Sequence, residues 1–307
     1  MTSVQKEADD LTESVMAGQI NQSIWRDLIT LTKPRIIMSN LVTAWAGFFL
    51  AVKHDAAGWT WIEWLLMTLG SALVMASGCV FNNILDREMD QRMARTQHRA
   101  LPMQRMSVTF VLTYGILLGL AGVSSLYLVN SLSAILGLTG WLSYVWLYTY
   151  WLKRTSTLST VWGGIAGSIP PVIGYCAVTN SFDMGALLLF SFLYLWQPPH
   201  FLALAIRRRE EYRAAGFPLL PVVHGVEATK IQMVRYLAAL IPVTLLFYGC
   251  NFAGPVFLVT SIVLGLYWMY GLVRGFGPIE EEKWAKRWFF YSIWYLTALS
   301  VLLMLGW

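Results

Sequence analysis

The sequence predicts an all-α polytopic membrane protein: nine transmembrane helices around a central cavity, the N-terminus cytoplasmic and the C-terminus outside. Three observations predict this. Hydrophobic residues make up 57% of the 307 residues and charged residues 13%, with a mean hydropathy of +0.55, whereas a water-exposed domain carries about 25% charged residues. Nine apolar stretches can be drawn, each near the ~20 residues that cross a hydrocarbon core ~30 Å thick. With the N-terminus placed inside, all 22 Lys and Arg except Lys53 fall on the inner side, as the positive-inside rule requires.

Taken in order, residues 1–30 are polar and mixed in charge, a cytoplasmic tail with a short amphipathic piece around Ile24, Trp25, Leu28 and Ile29. Residues 31–307 form a single membrane domain, since no long polar segment provides for a second folded unit. The spans run over 35–53, 62–84, 107–129, 132–152, 159–179, 184–206, 236–252, 255–274 and 288–306. All are read as helices, because only a helix satisfies its own backbone in lipid without closing into a barrel. Pro170-Pro171 breaks the fifth span and Pro198-Pro199 the sixth. Cys79, Cys176 and Cys250 lie in or beside apolar runs without paired spacing and read as small hydrophobes. The net charge of +5 is the product of basic inner loops and implies no nucleic acid.

Two inner loops, 85–106 and 207–235, are long and charged, while the outer turns near 130, 180 and 253 are short. One follows the second span and the other the sixth. That spacing suggests two similar halves whose acidic clusters face each other across the cavity.

Chemistry concentrates in these loops. On a helix, Asn82, Asp86 and Asp90 share one face at i, i+4 and i+8. Oxygen ligands grouped in this way suit Mg²⁺, which one or two carboxylates hold with substrate phosphates completing the shell. Asn82 and Asn83 lie deep in the span, where polar groups are costly and usually functional. Arg95 and Arg99 are four apart, a guanidinium pair that on one helical face would grip a phosphate and offset the charge of a departing diphosphate. Lys153 and Arg154 close the fourth span and would assist, although positive-inside topology accounts for them nearly as well. In the second loop Glu210 and Glu211 are the counterpart acids, either taking a metal contact or pairing with an arginine. Trp196-Gln197-Pro198-Pro199-His200-Phe201 places His200 at membrane depth, for iron ligation or for a structural hydrogen bond to carbonyls freed by the prolines. Trp141, Tyr144, Trp146, Tyr148, Tyr150 and Trp151 line a substrate cavity or face lipid.

The pattern Asn82-x-x-x-Asp86-x-x-x-Asp90 followed by Arg95-Thr96-x-x-Arg99 resembles the first signature of the intramembrane prenyltransferases of the UbiA superfamily. Lys33-Pro34-Arg35-Ile36, the segment Trp196 to Phe201 and Glu211-Tyr212-x-x-Ala215-Gly216-x-Pro218-x-Leu220-Pro221-Val222-Val223 resemble its haem-modifying branch. The resemblance covers residues 30–306. It implies Mg²⁺ and transfer of farnesyl from farnesyl diphosphate to a vinyl group of haem B, with water addition, giving haem O. It further implies Asn82, Asp86, Asp90 and Glu211 as metal ligands, and Asp86, Asp90, Arg95 and Arg99 as the catalytic set. Asn82, Asn83, Lys153, Arg154, His200, Arg207, Glu211 and Tyr212 would bind substrate. The implied setting is the plasma membrane, with the site on its cytoplasmic side, and the product passing to a haem A synthase or a terminal oxidase.

Two features depart from the pattern. Arg99 is followed by Ala100 where many relatives have proline. The second motif holds Arg207 and Glu211 in place of two aspartates, which suits a haem acceptor whose propionates meet Arg207, Arg208 or Arg209. A quinone-type aromatic prenyltransferase is the competing enzyme reading. A transporter is the competing reading from another class, disfavoured because nearly all charge lies at the inner surface.

Overall fold

The computed structural model describes residues 24–54 and 58–306. Helices dominate: α1 (Pro34–His54), α2 (Trp61–Asp90), α3 (Val108–Val129), α4 (Ser131–Leu142), α5 (Ser159–Thr179) and α6 (Met184–Arg207), then the short α7 (Arg209–Ala214) and α8 (Leu220–Val223), and finally α9 (Gly225–Gly249), α10 (Pro255–Val273) and α11 (Glu281–Leu305). Among the described residues, eight helices are long and apolar enough to cross a membrane. The stretch expected as the fourth span is helical but is not among these eight. Its α4 continues as a π-helix over Ser143–Leu152 and a last turn over Lys153–Thr155.

Four of the helices start where a side chain satisfies a free amide. Thr60 and Glu63 form a reciprocal capping box on α2, and Ser107, Asn130 and Asp183 cap α3, α4 and α6. Two expected breaks do not occur. α5 runs unbroken through Pro170 and Pro171, and α6 through Pro198 and Pro199. Membrane helices tolerate proline inside a packed bundle; beside Pro198, Gln197 Nε2 donates to Leu193 O on its own helix and to Gly164 O and Ser168 Oγ, which ties α6 to α5. The seventh expected span is longer than 236–252, because the polar stretch from Gly225 is already helical.

α1 packs against α2, α5 and α11, so the first and last helices meet and the bundle closes on itself. α5 and α6 are the most enclosed spans. Close approach of α1 to α5 depends on two glycines: a Cβ on Gly47 would stand 1.9 Å from Pro171 O, and one on Gly174 1.9 Å from Ala44 O. The helical piece over 24–32 lays Leu28 and Leu31 against Val80, Leu101 and Val111, with Trp25 and Ile29 outward. It lies across the end of α2 on which the polar cluster sits.

Candidate active site

α2 has 30 residues and is therefore about 45 Å long, more than the ~30 Å of a hydrocarbon core. Its final turns carry Asn82, Asn83, Asp86 and Asp90, all buried. As the spacing predicts, Asn82 and Asp86 share a face, and Asn82 Nδ2 donates to Asp86 Oδ2 at 2.9 Å.

Four basic groups converge on these oxygens from three segments. Lys153 hydrogen-bonds Asp86 Oδ2, and Arg154 Nη2 stands 3.9 Å from Asp86 Oδ1 while donating to Leu85 O. Arg99 Nη1 donates to Asp90 Oδ2 at 2.7 Å, and Lys33 Nζ donates to Asn82 Oδ1. Around two buried carboxylates there are thus four cations, an excess of positive charge suited to an anionic ligand. Burial chiefly, with repulsion from Arg99 and Lys153, pulls the Lys33 ammonium down to about 8. Lys33 also holds a left-handed backbone, φ 55°, uncommon for a residue with a side chain and frequent at functional positions.

The arginine pair departs from expectation. The chain leaves the helix at Asp90 and residues 91–106 form successive turns, so Arg95 and Arg99 do not share a helical face. Arg99 folds back onto Asp90, and Arg95 Nε reaches toward Glu211 Oε2 at 3.9 Å across to the second loop. Burial, with Arg208 nearby, lowers the Arg95 pKa. Thr96 supports the reversal, donating to Asp90 O at 3.1 Å.

The two inner loops meet directly. Met93 packs with Ala215, Phe217 and Leu219, and Lys153 Nζ lies 4.7 Å from the centre of the Phe217 ring. Glu211 takes two bonds from Arg208, at 3.2 and 3.4 Å, so of its two open readings the structure shows the arginine pairing. Glu210 likewise pairs with Arg209 and Arg213. Tyr212 packs beside Phe217, its hydroxyl pKa raised by burial. Arg207 ends α6 without an ion pair among the described residues. Asn83 serves the scaffold, donating to Cys79 O and to Leu31 O, which ties the 24–32 segment over the site.

The donor set fits a hard divalent cation in one respect. Asp86 Oδ1 is buried without a hydrogen-bond partner, an available oxygen beside Asn82 and Asp90. No group of three His, Cys, Asp or Glu forms among the described residues, so Glu211 does not join Asp86 and Asp90. The remaining ligands would be substrate oxygens.

His200 lies elsewhere, on α6 against α11. Its ring stacks between Trp196 (4.6 Å) and Phe289 (4.5 Å), and Nδ1 meets Ser292 Oγ at 2.6 Å. Its partner is therefore a hydroxyl on another helix rather than a carbonyl freed by the prolines.

Sequence reasoning missed three participants. Lys33 is signalled by a charge immediately before a membrane span. Thr149, the polar residue within an aromatic run, accepts from Asn82 Nδ2 at 3.3 Å and donates to Tyr144 O. The π-helix there, a form enriched at functional sites, divides the aromatic residues: Trp146, Tyr150 and Trp151 point outward, while Tyr144 and Tyr148 stack at 5.9 Å. Tyr144 lies against Gly78, one turn deeper than Asn82. Phe217 had no sequence signal.

The UbiA prenyltransferase family pattern matches residues 40–294. The chain is 47% identical over 286 residues to protoheme IX farnesyltransferase 1 of Bacillus subtilis (strain 168), covering 91% of this chain and 89% of that one. It is 43% identical over 306 residues to protoheme IX farnesyltransferase of Alkalihalophilus pseudofirmus, covering 97% of each. Among solved structures, a UbiA homolog from Archaeoglobus fulgidus bound to GPP and Mg²⁺ superposes with a TM-score of 0.66 at 15% identity, over 91% of this chain and 99% of that one. That likeness is one of fold.

Proposed function

The chain belongs to the UbiA prenyltransferase family, and from that premise we propose that it transfers the farnesyl group of farnesyl diphosphate to a vinyl group of haem B, giving haem O and diphosphate. The observation that carries the donor half is the ring of Lys33, Arg99, Lys153 and Arg154 around Asn82, Asp86 and Asp90. The acceptor half rests on relatives named for protoheme IX farnesylation that align along nearly the whole chain.

Asp86 and Asp90, with Asn82 Oδ1, would hold Mg²⁺. Bound there, the ion supplies positive charge to the diphosphate oxygens as the allylic C–O bond breaks. Lys33, Lys153, Arg154 and Arg99 turn from their present partners to the diphosphate, with Arg95 at the rim. Their charge is in place before the bond breaks, so stabilising the departing anion costs little reorganisation. The bonding pair leaves with the diphosphate oxygen. The stacked Tyr144 and Tyr148 rings, deeper along the same face, shield the allylic cation through their π faces. The vinyl π pair attacks the farnesyl carbon, water captures the cation left beside the porphyrin, and the released proton passes to solvent.

The stack of Trp196, His200 and Phe289 is read as belonging to the acceptor half. With Nδ1 held by Ser292, Nε2 of His200 is the nitrogen that would meet iron. Arg207, which has no acidic partner among the described residues, and Tyr212 are read as contacts for the haem propionates. We place the protein in the plasma membrane with nine spans, N-terminus inside, and the site on the cytoplasmic side, because the basic residues gather there. A terminal oxidase or a haem A synthase would receive the product.

Membranes containing the protein, supplied with haem B, farnesyl diphosphate and Mg²⁺, should yield haem O on extraction and mass analysis. Unchanged haem, with the prenyl group on a quinone precursor instead, would refute the assignment.

A further inference from the structure

Away from the polar cluster, α10, α11 and the loop that joins them line an open cavity of about 590 Å³. Its back wall is tryptophan set onto glycine. A Cβ on Gly271 would stand 1.6 Å from the Trp288 ring, and one on Gly275 2.5 Å from Trp284. Trp284 Nε1 donates to Gly271 O at 3.0 Å, and Lys230 Nζ covers its ring at 5.4 Å. Both indoles are buried and form a packed wall.

Its rim carries cations of two kinds. Lys283 pairs with Glu280 at 2.7 Å, and Lys230 behind the wall with Glu281 at 3.6 Å. Arg274 and Arg287 have no carboxylate partner among the described residues. Each is held instead by a neutral hydroxyl: Arg274 Nη1 donates to Tyr270 OH at 2.9 Å, and Arg287 Nη2 to Tyr267 OH at 2.8 Å. A tyrosine oxygen orients a guanidinium without neutralising it, and most of the donors on each fork stay available. A planar fork of this kind matches phosphate oxygens.

The surface beyond the rim narrows the choice of anion. Val259, Val263, Leu266, Tyr270 and Val273 are each about half exposed or more and recur along one stripe of α10 that leads to the cavity. A free phosphate has no use for that stripe, whereas an acyl chain lies along it. The position, where one span ends and the next begins, is headgroup level, and basic pockets between helices at that level take anionic headgroups.

We propose that this cavity binds the phosphodiester headgroup of an anionic membrane phospholipid, gripped by Arg274 and Arg287, with an acyl chain along the apolar stripe of α10. The proposal is independent of the prenyl-transfer reading, since neither arginine belongs to the catalytic cluster.

The test is native mass spectrometry of the full-length protein released from nanodiscs of mixed phosphatidylglycerol and phosphatidylcholine. The wild type should retain phosphatidylglycerol preferentially. Arg274→Gln with Arg287→Gln should lower its retention by about fivefold or more, while the Lys double variant, which keeps the charge, retains an intermediate amount. Turnover in detergent and the thermal midpoint should match wild type in both, as the two side chains are exposed. Equal retention of the two lipids by wild type would overturn the proposal. So would undiminished phosphatidylglycerol on the Gln double variant, or displacement of the lipid by inorganic phosphate or by haem B.

Discussion

Lys33, one residue before the first membrane helix, donates a hydrogen bond to Asn82 Oδ1 on the second, 49 positions along the chain. The bond carries a cation from the N-terminal segment into a cluster that otherwise belongs to α2, the following turns and the end of the fourth span. Its counterpart is Asn83, which holds the same segment through Leu31 O. One asparagine fastens the strap and its neighbour receives the charge.

Replacing Lys33 with Gln should raise the KM for farnesyl diphosphate about tenfold, the effect of losing one charge-assisted contact to phosphate. Lys33→Arg should recover most of it. Steady-state haem O formation at varied farnesyl diphosphate reads this directly; an unchanged KM in the Gln variant would take Lys33 off the substrate.

The lowered pKa of Lys33, about 8, has a definite sign. The unfolded chain keeps this proton until about pH 10.4, so between pH 8 and that value the unfolded state binds more protons than the folded one. Stability therefore rises with pH across the window, while kcat/KM for farnesyl diphosphate falls above pH 8 as the ammonium becomes neutral. Thermal midpoints from pH 7 to 10 should show the rise in wild type. A rise of the same size in Lys33→Gln would show that another group causes it.

Asp86→Asn should lower turnover by about a thousandfold, in line with loss of a preorganised charge at a reacting centre. Chelation with EDTA should abolish activity reversibly, with Mg²⁺ restoring it. Near-normal activity in correctly folded Asp86→Asn protein would remove Asp86 from the metal.

His200 is packed as well as polar, so the replacement must keep the packing. His200→Phe preserves the stack on Trp196 and Phe289 and should melt near wild type while making no haem O. His200→Ala should in addition lose roughly 3 kcal/mol of stability through the cavity it leaves. Haem O formation by the Phe variant would leave His200 a structural residue only.

Gly174→Ala tests the closure of the bundle. Its methyl group would meet Ala44 O at 1.9 Å, and backbone of two packed helices yields little, so a loss of about 3 kcal/mol or more is expected. Gly58→Ala, whose Cβ would touch nothing within 4 Å, is the control. Equal melting of the two variants would mean that α1 and α5 are farther apart than the structure places them.

Sequence by itself determined the all-helical membrane class, because 13% charge cannot clothe a water-facing surface. It also determined that Asn82 and Asp86 share a face, since a four-residue spacing on a helix is a local matter, and Asn82 and Asp86 are indeed hydrogen-bonded. Only the tertiary structure decided which base meets which acid. Arg95 and Arg99 look like one helical pair, yet the turns after Asp90 send one to Glu211 and the other back to Asp90. Likewise the paired prolines of α5 and α6, breakers by local rule, sit in unbroken helices packed against each other. Lys33, Thr149 and Ser292 join their partners from 49, 67 and 92 positions away. Contacts of that range follow from how helices pack, and a local spacing rule carries no term for packing.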